Sequence, residues 1–433
     1  MTKNSLQERD ASVLWHPFTQ VGFREPLLPV LAARDSKIIL EDGTELLDAT
    51  SSWWCCLHGH GRHELIDAAS AQFTKLDHVL FAGCTHEPAV ALAERLIRIV
   101  PPGLSRVFYS DNGSTAVEVA LKMGVQYWAN QGTPKTGIIA LENSYHGDTF
   151  GAMSAGARGI FVAPFEKLLF EVHRVTTRAE IDDCAKFENL CRTGKIAAFI
   201  FEPRVQGAGG MLVYDTSAID RYSEICERYG VITIADEVMT GFGRTGPNFA
   251  SSSLQRTPDI ICLSKGLTSG TLPLAITMCQ ERIFEAFISP DHARTFFHGH
   301  TYTANPIACS VALASLELFL APQCLMARQR IEQSHRVCAR KLEGFSAIQN
   351  VRVAGTLLAF DCVTTGNSGY LSTISRSAGD FFKARGILLR PLGNVIYCLP
   401  PYCISNAELK QLHNALLEFA NHLETSGKPL ARC

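Results

Sequence analysis

The sequence predicts an α/β fold, a mostly parallel sheet covered by helices, and three observations predict it. Short apolar, β-branched runs alternate with amphipathic segments, the pattern of strands joined by crossover helices. Most of these runs are continuous rather than alternating, so both faces of the strands are expected to be buried. At 433 residues, 46% of them hydrophobic, the chain also exceeds what one core usually holds before dividing, so two domains are expected.

Taken in order, the first 50 or so residues carry KIILEDGTELLDA, a strand and turn pattern with Asp42 and Gly43 as the hairpin turn. The central strands read as Arg106–Ser110, Gly137–Leu141, Ala197–Glu202, Val231–Asp236, Asp259–Ser264 and Leu274–Cys279. Between them, Thr115–Asn130 reads as a helix closed by Gly132, and Ser217–Tyr229 as another closed by Gly230. The last hundred residues hold a helix, strands and a final helix. This organisation implies a large domain over 56–315 and a smaller α+β domain drawn from both termini, 1–55 and 316–433.

Charge excludes some partners. With 19% charged residues and a formal net charge of −2, no field of one sign favours nucleic acid or an anionic membrane, which leaves small molecules. MTKNSLQERD lacks the order of a secretory signal, and no apolar run approaches membrane-spanning length. The 15 cysteines are scattered without a CxxC, which suits reduced thiols and a cytoplasmic location, and the adjacent Cys55 and Cys56 suit neither an ordinary disulfide nor a tetrahedral metal site without other ligands. His58, His60 and His63 of HGHGRH lie in a glycine-rich turn without a carboxylate set, so no metal site is expected.

The chemistry gathers at strand ends, where open α/β folds bind ligands. Lys265 directly follows the apolar run IICLS, and burial disfavours its ammonium form, making a neutral, Schiff-base-forming amine accessible. Asp236 ends VITIAD. A carboxylate there is either a loop cap or an acceptor that keeps a ring nitrogen protonated, and consecutive strands ending in Asp and Lys could aim both at opposite ends of one flat ring. In SDNGSTAVEVALKM a strand runs into a helix through Gly113 and Ser114, whose free amides suit a phosphate as well as a plain helix cap. Tyr145, in NSYHGDT, also stands at a strand end, where a ring could stack on a planar cofactor.

Together these segments resemble class III, or omega, aminotransferases of the type I fold that depends on pyridoxal 5′-phosphate, over nearly the whole chain from Trp15 to the final helix. The resemblance implies that Lys265 holds the cofactor covalently and moves a proton between donor carbon and cofactor carbon. It also implies that Asp236 pairs with the pyridinium nitrogen, Gly113 and Ser114 bind the phosphate, and Tyr145 and Val238 flank the ring. Glu202 and Gln206 of FEPRVQGAGG would line the pocket. Thr301, in HGHTYTAN, would reach the phosphate of the other subunit, which implies a homodimer with shared active sites.

Within the class, Trp53 and Trp54 of SSWW, the WHPFT start and RPLGNVIYCLPPY resemble the branch that transaminates 8-amino-7-oxononanoate in biotin biosynthesis. By that resemblance Arg390 grips the substrate carboxylate, Tyr397 lines the tunnel, and Arg244 helps set specificity. Phe18 replaces a tyrosine and His300 a proline of many members that use S-adenosylmethionine as amino donor; members that use lysine match this chain at both positions. The tryptophan pair and the HP start favour S-adenosylmethionine. Arg204 stands where an aliphatic residue is expected. Rival readings are aminotransferases for ornithine, 4-aminobutyrate or diaminobutyrate, and an aminomutase or decarboxylase on the same fold.

Overall fold

A computed structural model of the chain describes residues 5–22, 27–178, 183–363, 372 and 374–426. Its centre is a seven-stranded sheet: β1 (Leu104–Ser110), β2 (Gly137–Leu141), β3 (His173–Val175), β4 (Ile196–Phe201), β5 (Ile232–Asp236), β6 (Ile260–Leu263) and β7 (Ala275–Gln280). Their spatial order is β1-β7-β6-β5-β4-β2-β3. β7 runs antiparallel to both β6 and β1, while the β6-β5-β4-β2-β3 block is parallel. Every residue of β4, β5 and β6 is buried, as continuous apolar runs require when helices cover both faces. Phe199 and Phe201 of β4 are fully enclosed, and each contributes roughly 1.5–3 kcal/mol of apolar burial.

The short strand β3, HRV, escapes sequence reading because three residues carry too little periodicity, and its companions are polar. The helix after β1 begins earlier than expected, at Gly113 rather than Thr115. Asn112 caps it by accepting from the Thr115 amide at 3.0 Å, and Thr115 returns a bond to the Asn112 amide. Ser217–Tyr229 ends where expected, on Gly230 at φ +72°, a left-handed position that glycine adopts without steric cost.

Both ends of the chain meet beside this sheet. The hairpin Lys37–Leu40 and Glu45–Asp48 turns through Asp42, whose carboxylate accepts from the Thr44 amide at 2.9 Å. Its second strand then pairs in parallel with Ile387–Leu388, far along the sequence. A further sheet joins Ile348–Ala354, Leu357–Cys362 and Val395–Cys398; helix Pro322–Leu342 packs on its first two strands and carries Asn406–Ser426 beside it, while Pro306–Leu320 packs mainly on His63–Lys75 and Glu87–Ile97. One hydrophobic core runs from Leu47 through Ile276 to Phe419, so these terminal segments are continuous with the sheet they flank. Among the described residues no single helix is long and apolar enough to cross a membrane.

Candidate active site

A cavity of about 420 Å³ opens over the carboxyl ends of the parallel strands. Gly113, Ser114, Tyr145, Asp236, Val238, Lys265 and Trp54 line it together, with Glu202 behind Tyr145. The register explains the convergence. β5 and β6 pair so that Asp236 lies beside Cys262, one short turn before Lys265.

Lys265 opens the 3-10 turn that follows β6 and sits at φ +42°, a left-handed position that non-glycine residues hold only when their surroundings over-determine it. Protein encloses its side chain, and what exposure remains faces the cavity. Burial pulls its pKa below the ordinary lysine value, against the opposing pull of Asp236, Glu202 and Cys55. The amine is therefore more readily neutral than a surface lysine.

Asp236 is held from two sides. Its Oδ1 accepts from the Val238 amide at 3.0 Å and its Oδ2 faces His146 Nδ1 at 2.7 Å. His146 is itself buried, and its Nε2 has no partner among the described residues. Glu202 accepts from the backbone amides of Tyr145 (3.1 Å) and Gly207 (3.0 Å), yet enclosure in protein pushes its pKa up to about 7. Burial, then the Asp148 carboxylate, raises the Tyr145 phenol, which stays protonated as a donor.

A planar phosphorylated ring fits this donor set. Gly113 begins an 18-residue helix, and a Cβ there would lie 2.6 Å from Val238 Cγ1, so only glycine leaves both the amide cradle and the Val238 shelf in place. Ser114 Oγ accepts from the Asp148 amide at 3.2 Å, and Gly147 makes room for it, since a Cβ at Gly147 would fall 2.1 Å from that hydroxyl.

Outside this inner wall lies a second layer. Trp54, buried, donates from Nε1 to the Tyr397 hydroxyl at 2.9 Å, and Lys265 Nζ lies 4.9 Å from its ring centre. Trp53 faces outward, 43% exposed, packing edge-on against Phe18 (5.7 Å between centroids) with the Arg390 guanidinium 4.8 Å from its ring. Phe161, which sequence reading passed over, completes this cluster against Phe18 at 6.1 Å.

Several expected residues stand off the cavity lining, among them Phe18, Trp53, Arg390 and Tyr397 of this second layer. Arg244 is 1% exposed and donates to the carbonyls of Pro400 (3.1 Å) and Trp54 (3.2 Å), so in this chain it positions the tryptophan and does not line the cavity. Gln206 is buried and donates to the Glu142 carbonyl. Thr301 is exposed on the loop before Pro306–Leu320, away from its own chain's cavity. Of the HGHGRH histidines, His58 faces the Ser315 carbonyl at 3.0 Å and His60 the Asp48 carboxylate at 3.0 Å. Sequence reading missed His146 as the partner of Asp236. The only available signal was its place beside Tyr145 at a strand end. It also missed Cys55, whose thiol lines the cavity.

Comparison with known proteins agrees with this architecture. The profile of the aminotransferase class-III family matches residues 19–419. The adenosylmethionine-8-amino-7-oxononanoate aminotransferase of Synechococcus elongatus is 45% identical, covering 95% of this chain and 99% of that one. Its namesake from Geobacter sulfurreducens is 38% identical over 98% of each. Among solved structures, the enzyme of the same name from Methanocaldococcus jannaschii superposes with a TM-score of 0.92 at 34% identity, covering 96% of this chain and 98% of that one. A PLP-bound amine transaminase from an uncultivated Pseudomonas species does so at 0.85 and 32%, covering 94% and 98%. The chain thus belongs to the class III aminotransferases, enzymes that work with pyridoxal 5′-phosphate.

Proposed function

We propose that this chain transaminates 8-amino-7-oxononanoate to 7,8-diaminononanoate, a step of biotin biosynthesis, with S-adenosylmethionine as amino donor. The observation that supports it most is the aromatic cluster beside the cavity: Trp54, on the lining, bonds the Tyr397 hydroxyl, and its neighbour Trp53 packs against Phe18 and the Arg390 guanidinium. In this reading Phe18, Trp53 and Arg390 frame the cavity's mouth, and an aromatic approach with one guanidinium suits a long-chain keto acid whose carboxylate lies far from its reacting carbon. The curated relatives carry the name of that reaction.

Bound pyridoxal phosphate supplies a pyridinium ring that accepts the electron pair left when a C–H bond beside the amine ionises. This chain's residues do the rest. Lys265 Nζ, whose charged form burial disfavours, would carry the proton between the donor carbon and the cofactor. Asp236, kept in place by Val238 and His146, would pair with the ring nitrogen and favour its protonated form. Gly113 and Ser114 present amides and a hydroxyl to the phosphate at the positive end of their helix. Tyr145 and Val238, both on the lining, would hold the ring's orientation, and Trp54 beside Lys265 would exclude water.

Thr301 completes the phosphate site of a second copy in this reading, so the active form is a homodimer; its exposure on a loop outside its own cavity supports that placement. A cytoplasmic location accords with this biosynthetic role and with the free thiols found at every described cysteine.

Mixing the purified holoenzyme separately with S-adenosylmethionine and with lysine, and following conversion of the cofactor's absorbance to its amine form, tests the assignment. Conversion by S-adenosylmethionine, reversed by 8-amino-7-oxononanoate, is expected. Conversion by lysine alone would reassign the donor, in keeping with Phe18 and His300. A response only to ornithine or 4-aminobutyrate would overturn the substrate as well.

A further inference from the structure

We propose that Cys55 and Cys56 form a peroxide-reactive dithiol on the wall of the active-site cavity, closing to a disulfide that reversibly suppresses transamination. The two sulfurs lie 4.0 Å apart, both beside Gly270; Cys55 and Gly270 line the cavity and Cys56 is buried. Gly270, at φ +75°, makes their slot possible. A Cβ there would lie 2.9 Å from both sulfurs, so any other residue would push the pair apart.

Most of the remaining cysteines are enclosed in apolar surroundings. Burial pushes the thiols of Cys309, Cys338 and Cys362 up to about 12, which leaves them inert. Cys55 departs the other way. The neighbouring Cys56 thiol, followed by the Trp53 backbone and the Arg244 guanidinium, favours its thiolate against the opposing effect of burial. A small oxidant entering the cavity thus meets a nucleophilic sulfur with a resolving thiol beside it.

Hydrogen peroxide is the oxidant. The Cys55 thiolate attacks one peroxide oxygen, the O–O bond breaks, and hydroxide leaves a sulfenic acid on Cys55. The Cys56 sulfur then attacks Cys55, the S–O bond breaks, and the departing hydroxide takes the Cys56 proton as water. In sum, two thiols lose two protons and two electrons, and one peroxide becomes two waters.

Closure couples to the reaction through the backbone. An S–S bond spans about 2.05 Å, so the sulfurs must approach. The segment they pull already carries left-handed φ at Ser51, Ser52 and Trp54, and Trp54 is the ring over Lys265.

Peptide mapping of the peroxide-treated holoenzyme tests the idea. The tryptic peptide Ile38–Arg62 contains Cys55 and Cys56 and no other cysteine. Loss of two hydrogens from that peptide, in step with at least a tenfold fall in turnover and recovery of both with dithiothreitol, is expected. Cys55→Ser should retain most of its own untreated activity under the same dose, and Cys56→Ser should stop at a dimedone-reactive Cys55. An intact peptide at doses that oxidise the exposed Cys84, or inactivation shared in full by Cys55→Ser, would overturn the proposal.

Discussion

The inner wall of the cavity and its mouth are built by different means. Strand ends and a helix start hold Lys265, Asp236, Gly113 and Ser114, all anchored in a sheet whose central strands are buried on both faces. The outer cluster, proposed above as the cavity's mouth, draws Phe18, Trp53, Phe161 and Arg390 from four distant places in the sequence, and its three rings are each more than 40% exposed. A buried scaffold fixes atoms to the tolerance that proton transfer needs. An exposed aromatic cluster tolerates substitution, and so can select a substrate without disturbing the chemistry behind it. If that division is right, damage to the inner wall should lower turnover, whereas damage to the mouth should raise the apparent KM for one substrate.

The largest effect tests the inner wall. Lys265→Ala removes both the covalent anchor and the proton carrier, and turnover should fall by about 10⁵-fold, some 7 kcal/mol of barrier; residual activity within tenfold of wild type in a stopped-flow half-reaction would break the division at its centre. Asp236→Asn keeps the shape of the site and removes the charge that holds the ring nitrogen protonated. A loss near 10³-fold, about 4 kcal/mol, is expected with an unchanged Tm. A near-normal rate would mean the His146–Asp236 pair serves only the fold.

At the mouth, Arg390→Ala should raise the apparent KM for 8-amino-7-oxononanoate by about 10- to 100-fold, roughly 1.4–2.8 kcal/mol, while the donor half-reaction keeps its rate. A matching loss in the donor half-reaction would show that the mouth and the inner wall are not separable.

The two regions also differed in how far the sequence disclosed them. The fold was legible because β4, β5 and β6 are unbroken apolar runs, and the β5 and β6 runs end in Asp236 and Lys265. Gly113 could be placed because strand, glycine and helix follow one another directly. His146 stayed hidden, since its bond to Asp236 joins residues 90 positions apart and a histidine in a loop carries no periodic signal. Arg244 looked like a specificity residue from its motif, GFGRTG; the structure shows it spending both terminal nitrogens on the carbonyls of Pro400 and Trp54, a long-range contact that composition does not encode. Phe161 was silent for the same reason, touching Phe18 only through the tertiary fold.

Between the regions stands Trp54, bonded outward to Tyr397 and placed inward over Lys265. Tyr397→Phe leaves the buried indole N–H without an acceptor, a cost of about 1–3 kcal/mol in the position of the ring. A tenfold or smaller fall in turnover with both substrates is expected, and an effect confined to the acceptor would assign Trp54 to the mouth.

The smallest effect concerns pH. Glu202 lies behind Tyr145 and Burial raises its pKa to about 7, so it is neutral below that pH and charged above it. An acid whose folded pKa exceeds its unfolded value contributes stability that is present at low pH and lost as pH rises through the folded value. Between about pH 4.5 and 7, the window separating the two values, wild-type Tm should therefore decline relative to Glu202→Gln. The same charge, when present, lies near both Asp236 and Lys265. It favours the protonated lysine and so opposes the neutral base, which means Glu202→Gln should flatten an inflection near pH 7 in the donor half-reaction by a factor below ten. Parallel pH profiles in the two proteins would remove Glu202 from the proton balance of the inner wall and leave it as a brace for the Tyr145 and Gly207 amides.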